Sequence, residues 1–303
     1  MKLLRASLLV MALNLALAHP LLAATDSPPV TVLASLPITY GLSDLLLKDS
    51  GVLLERAADA KLPGSRQSAY FSGRGAPALQ QLASHADAVI DLRALWSEDP
   101  LYPMARRSNI RIVEIDATRP VDGSLPGIAL QPGAAAEGLN SQPWLSSNNM
   151  GRMADVIAAD LVRLAPQAKP RIEGNLAALK QRLLKLSARS EGLLASADNL
   201  SVYSLSDRLS YLSGGLNLEP VGSEVRSDEE WTDETLKALT DTLRHGEVKV
   251  VLDHRQPPAR VVAAVSAAGS QLVVIDGDAA DPVAGLEASI AQVLAVLAPQ
   301  KAE

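Results

Sequence analysis

Between Pro170 and Ala197 the sequence offers no β-branched run and no internal proline. Ile172, Leu176, Leu179, Leu183, Leu186 and Leu193 recur at 4-3-4-3-7 spacing, which is one face of an α-helix. Arg171, Lys180, Arg182, Lys185 and Arg189 fall on the opposite face. A single helix over this stretch would be about 42 Å long at 1.5 Å per residue. Ordinary helices run to about 10–14 residues, so this one is too long for a simple crossover between strands. It reads as a rigid spine joining two lobes. Two shorter helices meeting at a kink are the alternative, and Gly174 is the local weak point.

On either side, short apolar runs alternate with helical periods. Strands are predicted at Val30–Leu36, Ala88–Leu92, Ile110–Ile115, Leu200–Leu205, Val248–Leu252 and Leu272–Ile275. Helices are predicted at Thr39–Lys48, Pro77–His85, Asn149–Leu164, Asp228–Arg244, Pro258–Ala268 and Asp281–Leu297. Near-continuous apolar strands alternating with helices predict parallel sheets covered on both faces. The fold class is therefore α/β, with two such lobes joined by one long helix. Arg119–Ser141 is rich in Pro, Gly and Ala and reads as a loop. No internal repeat is legible.

The first 24 residues read as an address. Lys2 and Arg5 precede the apolar run Ala6–Ala18, and Leu21–Ala24 supplies small residues for cleavage. The run is shorter than the roughly 18 apolar residues of a membrane span. No Cys follows it, so no lipid attachment is expected. The organisation expected is a signal peptide at 1–24, an N-terminal lobe at 25–169, the linking helix at 170–198 and a C-terminal lobe at 199–303. The mature protein is expected free in the periplasm.

Composition removes several function classes. The 303 residues carry 28 Lys and Arg against 34 Asp and Glu, a net charge of −6. An acidic chain lacks the positive field that nucleic-acid binding needs. Zero Cys removes thiolate nucleophiles, Fe–S clusters and Cys-type zinc sites. There is no P-loop, no G-x-G-x-x-G and no G-x-S-x-G. His85 and His245 lie at predicted helix ends and read as structural, whereas His254 follows a strand, where ligand-facing residues gather. No two histidines are close in sequence. Neither a hydrolase nor a metalloenzyme is supported, and no resident cofactor is expected.

Four stretches, taken in order, resemble the periplasmic zinc/manganese-type substrate-binding proteins of ABC importers. They are Val30–Leu36 before Pro37, Ala78–Leu92 with its Ala86-Asp87 step, Pro143-Trp144-Leu145 ahead of Asn148-Asn149-Met150, and Leu164-Ala165-Pro166 ahead of Asn175 and Leu179. The resemblance spans most of residues 30–298 and implies an inner-membrane ABC permease as partner. It also implies a metal site of three His and one carboxylate, and here the chain departs from the family. The imidazole slots fall on Ser68 (before Tyr70), Gln142 (before Trp144) and Ser206 (before Asp207), while Asp276 fills the acidic slot. Hydroxyls and an amide are weak neutral ligands for a transition ion. No metal site is therefore expected. With Arg74 and Arg208 added, the cleft suits a larger polar or anionic ligand, because guanidinium pairs with carboxylate, phosphate or catecholate.

The expected ligand cleft comprises Ser68, Tyr70, Arg74, Gln142, Trp144, Ser206, Arg208 and Asp276. The expected ligand is a chelated metal such as an iron–siderophore complex. Two alternatives remain: a ligand-free partner of a second periplasmic binding protein, and an ordinary zinc or manganese binder with unusual ligands.

Overall fold

The computed structural model describes residues 28–131 and 142–298. The leader reading falls at 1–24, outside the described residues, as do residues 132–141 of the loop.

The N-terminal lobe runs β1 (Thr31–Ala34), α1 (Pro37–Leu47), β2 (Leu53–Arg56), α2 (Gly64–Ser72), α3 (Ala76–His85), β3 (Ala88–Asp91), α4 (Leu101–Ala105) and β4 (Val113–Asp116). A 3-10 turn at Pro143–Leu145 leads into α5 (Ser147–Leu164), and the long helix α6 covers Lys169–Leu194. The C-terminal lobe runs β5 (Ser201–Ser204), α7 (Ser210–Gly215), β6 (Glu219–Ser223), α8 (Asp233–His245), β7 (Val250–Asp253), α9 (Ala259–Ala267), β8 (Gln271–Val274) and α10 (Pro282–Leu297).

Both sheets are four-stranded and parallel. Their orders are β2-β1-β3-β4 and β6-β5-β7-β8, so the second lobe repeats the topology of the first. The repeat is invisible in sequence because a topology constrains hydrophobic pattern, not residue identity. In each sheet the chain winds outward in both directions from a central pair, β1/β3 and β5/β7. The crevice beyond the C-terminal ends of such a pair is where α/β sheets hold ligands.

Strand alternation sorts the core into three. Val32, Ala34, Ala88 and Ile90 face a layer shared with Val202, Val250, Leu252 and Val273 of the second sheet. Met153, Ile157 and Leu161 of α5, Ile172, Leu179 and Leu183 of α6, and Val283 and Ile290 of α10 fill that layer. Leu33 and Val89 face outward onto α2, α3 and α4. Val251 faces outward onto α8 and α9. One continuous apolar core thus runs through both lobes, and the joint is a packed layer of helices rather than a bare strut.

The long helix is unbroken over 26 residues, as a single spine requires. Its buried stripe follows Ile172, Leu179 and Leu183 and then passes to Ser190 and Leu194, leaving Leu193 on the surface. Arg182, expected on the solvated face, instead turns to α10 and meets Glu287 at 2.9 Å and Asp281 at 3.4 Å. The helix expected over Asp228–Arg244 is divided. Ser227 caps only a 3-10 turn at Asp228–Glu230, and α8 starts afresh where Thr232 and Thr235 form a capping box. The strand expected from Ile110 begins at Val113, because Asn109 first donates its amide to the carbonyls of Ala83 and Ala86 and holds the chain in a turn.

Candidate functional site

A cavity of about 470 Å³ opens between the lobes. Its N-terminal wall is Leu36–Ile38, just past β1, and Ala60–Ser65, running from the loop after β2 into the first turn of α2; its C-terminal wall is Arg208, past β5, and Asp278, past β8. Gln142 and Trp144 close the back. Every wall stands at the C-terminal end of a parallel strand or on the turn before α5, the position the two central strand pairs dictate.

The back wall ties the lobes together. The Trp144 indole Nε1–H donates to the Gly277 carbonyl at 3.1 Å. Gln142 is left-handed, with φ of 39°, and is buried. Its amide lies directly on Gly277: a Cβ there would sit 2.4 Å from Gln142 Oε1 and 2.9 Å from its carbon. Gly277→Ala should therefore push Gln142 away and loosen the indole bond. The expected cost is about 1 kcal/mol or less, the low end for overpacking, because only the far end of the flexible Gln142 side chain must give way, beside a cavity. Chemical denaturation checks it, and a red shift of indole emission should accompany it.

On the C-terminal wall, Ser206 is buried and its Oγ accepts the Arg208 backbone N–H at 3.2 Å. The same Oγ shares a hydrogen bond of 2.8 Å with His254 Nδ1. Burial, aided by Arg208, holds the His254 pKa below its ordinary value, so the imidazole is neutral at neutral pH. Asp276 is exposed, and its carboxylate accepts the Asp278 backbone N–H at 2.9 Å, which shapes the loop. Loss of solvent, and then Asp276, push the Asp278 carboxyl up. Among the described residues, no three His, Cys, Asp or Glu side chains come together as an ion would need.

The sequence-family model described as zinc-uptake complex component A, periplasmic, matches residues 76–289. The chain belongs to this family. No curated protein matches it in sequence. Among solved structures, a crystal structure of ZnuA is 20% identical with a TM-score of 0.65 and covers 88% of this chain and 99% of its own. An FpvC mutant from Pseudomonas aeruginosa is 19% identical with a TM-score of 0.68, covering 88% and 98%. The Zn(II)-bound ZnuA-like domain of Streptococcus pneumoniae AdcA is 17% identical with a TM-score of 0.68, covering 89% and 99%. At these identities the likeness is one of fold: two parallel α/β lobes about a long helix. Among the described residues, no helix is long and apolar enough to cross a membrane.

Of the eight residues expected at the family's cleft, three lie on the cavity wall: Gln142, Trp144 and Arg208. Ser206 stands behind Arg208, and Asp276 behind Asp278. Ser68, Tyr70 and Arg74 lie on or just beyond α2 and do not line the cavity. Ser68 is exposed and its carbonyl is bonded by Ser72 Oγ. Tyr70 packs on Phe71 and against Gly75, with the exposed Arg74 guanidinium 5.5 Å from its ring centre. The inward residue of this turn is Gln67, fully buried, with Nε2 reaching the Ser35 carbonyl at 3.4 Å. Lys61 and Asp278 are the charged wall residues that sequence reasoning missed. Recognising the β2 strand would have pointed to Lys61, and the rule that placed Asp276 extends two residues to Asp278. The described part of the loop at 119–131 is held against α5 and α7 by bonds such as Gln131 N–H to the Tyr211 hydroxyl, and does not line the cavity.

Proposed function

We propose that the chain is the periplasmic binding component of an ABC importer for metal, and that it carries the metal already wrapped in an organic chelate. An iron–siderophore complex is the ligand class that fits best. One observation carries the reading: the family's ligand cleft holds an indole, an amide and a guanidinium around about 470 Å³, where an ion would need converging imidazoles and carboxylates. That volume is in the range of small-molecule sites, about 300–1,000 Å³. A ligand that brings its own donors asks only for shape, hydrogen bonds and charge.

The leader would deliver the protein to the periplasm and be removed there, and an inner-membrane permease with its ATPase would receive the ligand. Catalysis forms no part of this reading. Ser206 Oγ and Asp253 Oδ1 approach the same nitrogen of His254, at 2.8 and 3.2 Å. A Ser-His-Asp relay needs the hydroxyl and the carboxylate on opposite ring nitrogens.

The test is indole quenching. A coloured ferric siderophore in the cleft should quench Trp144, and Trp144→Phe should remove that part of the signal. A panel of ferric siderophores that leaves the emission unchanged, alone and with a cognate second binding protein, would overturn the reading. A stable complex of the two proteins on a sizing column, without quenching, would make this chain a partner subunit instead.

A further inference from the structure

Several basic side chains of this acidic chain are paired. Arg93 meets Glu114, Lys180 meets Asp155, Arg182 meets Glu287, and Arg255 meets Asp228. Two cations stand on the cavity wall. Lys61, on the N-terminal lobe, and Arg208, on the C-terminal lobe, have no ion pair among the described residues, and Asp278 is the only acidic side chain on the wall with them. The N-terminus of α2 joins them. Gly64 and Ser65 line the cavity, no side chain caps the helix, and its first turn holds no acidic residue. Uncapped N–H groups at the positive end of a helix favour an anion.

Resting on the chelate reading above, we infer that the cleft selects a net-anionic ligand. Its negative group is held between Lys61, Arg208 and the first turn of α2. Because the two cations come from opposite lobes, the anion bridges the cleft. Lys61 is then a specificity-determining residue of this site, and bare cations are disfavoured by charge as well as by the lack of ligands.

Three ferric complexes serve as probes: an anionic tris-catecholate, a neutral cyclic trihydroxamate and a cationic linear trihydroxamate. Citrate without iron is the fourth. Affinity is read from indole quenching, and from calorimetry for citrate. The anionic complex should bind at least about tenfold more tightly than the cationic one, and its affinity should fall with added salt. Lys61→Gln and Arg208→Gln should each weaken the anionic complex by about tenfold and narrow the gap to the cationic one. Lys61 is exposed on a loop, so its variant should fold even if the Arg208 variant does not. Equal affinities for all three complexes, unmoved by Lys61→Gln, would overturn the charge selection and leave the chelate reading standing. Binding by none of the four overturns both. Citrate binding as tightly as any ferric complex keeps the anion site and ends the chelated-metal reading.

Discussion

Zinc titrated calorimetrically into the metal-stripped protein should bind no more tightly than tens of micromolar. Such an affinity is about −6 kcal/mol, against about −12 for a nanomolar site. The gap comes from the donor set. The family's three imidazole slots fall on Ser68, Gln142 and Ser206. Ser68 faces solvent on α2, while the Ser206 hydroxyl is engaged by the Arg208 N–H and by His254. The Gln142 amide is pressed on Gly277. What remains near the cleft is one neutral imidazole, the Asp253 carboxylate already engaged by the His254 and Arg255 N–H groups, and the carboxylates of Asp276 and Asp278, with the Arg208 guanidinium close enough to act on both His254 and Asp278. A fixed positive charge beside two ligands lowers their affinity for a dication. Manganese, which prefers oxygen donors, should bind no better. A stoichiometric, submicromolar zinc isotherm would defeat this expectation. Its loss in His254→Ala would then place the ion on the C-terminal wall.

The parts of the fold legible in the sequence are those whose physics is local. β1, β3, β5 and β7 are buried on both faces, so each reads as an apolar run. The 4-3-4-3 stripe of α6 is legible for the same reason. β2 and β6 are not. All of β2, β4, β6 and β8 are edge strands, but β4 and β8 keep apolar runs, whereas Leu53–Arg56 is half in solvent and ends on two charges and Glu219–Ser223 carries a proline and a glycine. What makes β2 and β6 strands is the neighbour they pair with, and that is non-local. The loss propagates into the site. Without β2 there is no reason to look at the loop that follows it, which supplies Lys61 and leads into α2. With α2 unseen, a one-residue shift on a helix of 3.6 residues per turn decides whether Gln67 or Ser68 faces inward. Gln142, Trp144 and Arg208 come from the family resemblance, whose matching stretches are fixed in register there by neighbouring segments with strong patterns of their own.

Raising the pH from 7 to 9 should destabilise the protein, and Asp91→Asn should remove most of that loss. Asp91 ends β3 on the face of Val89, 1% exposed, and neither carboxyl oxygen has a hydrogen-bond partner. Burial, then Asp99, Glu114 and Asp116, push its pKa up to about 9. In the unfolded chain the ordinary value is about 3.9. An acid whose pKa is raised by folding gives its full stabilisation below the unfolded value, here about pH 4. It loses that stabilisation as the pH climbs to the folded value, here about 9. Each pH unit in that window is about 1.4 kcal/mol, so the step from pH 7 to 9 is on the order of 2–3 kcal/mol. Asp99, raised to about 6 and bonded to the Leu92 and Leu101 N–H groups, acts in the same sense but only below that pH. His254 has a lowered pKa and acts in the opposite sense, below its unfolded value of about 6.5. Between pH 7 and 9 Asp91 therefore stands alone among these three. An amide cannot ionise, and it keeps the size of the carboxyl at the price of one imperfectly bonded polar group, about 1–3 kcal/mol at every pH. Urea denaturation of both proteins at pH 7 and 9 separates the two effects. Wild type should fall across the interval and the variant should stay level. Parallel slopes in the two proteins would mean that Asp91 is already ionised in the folded state, with water or a cation satisfying the oxygens buried beneath α4.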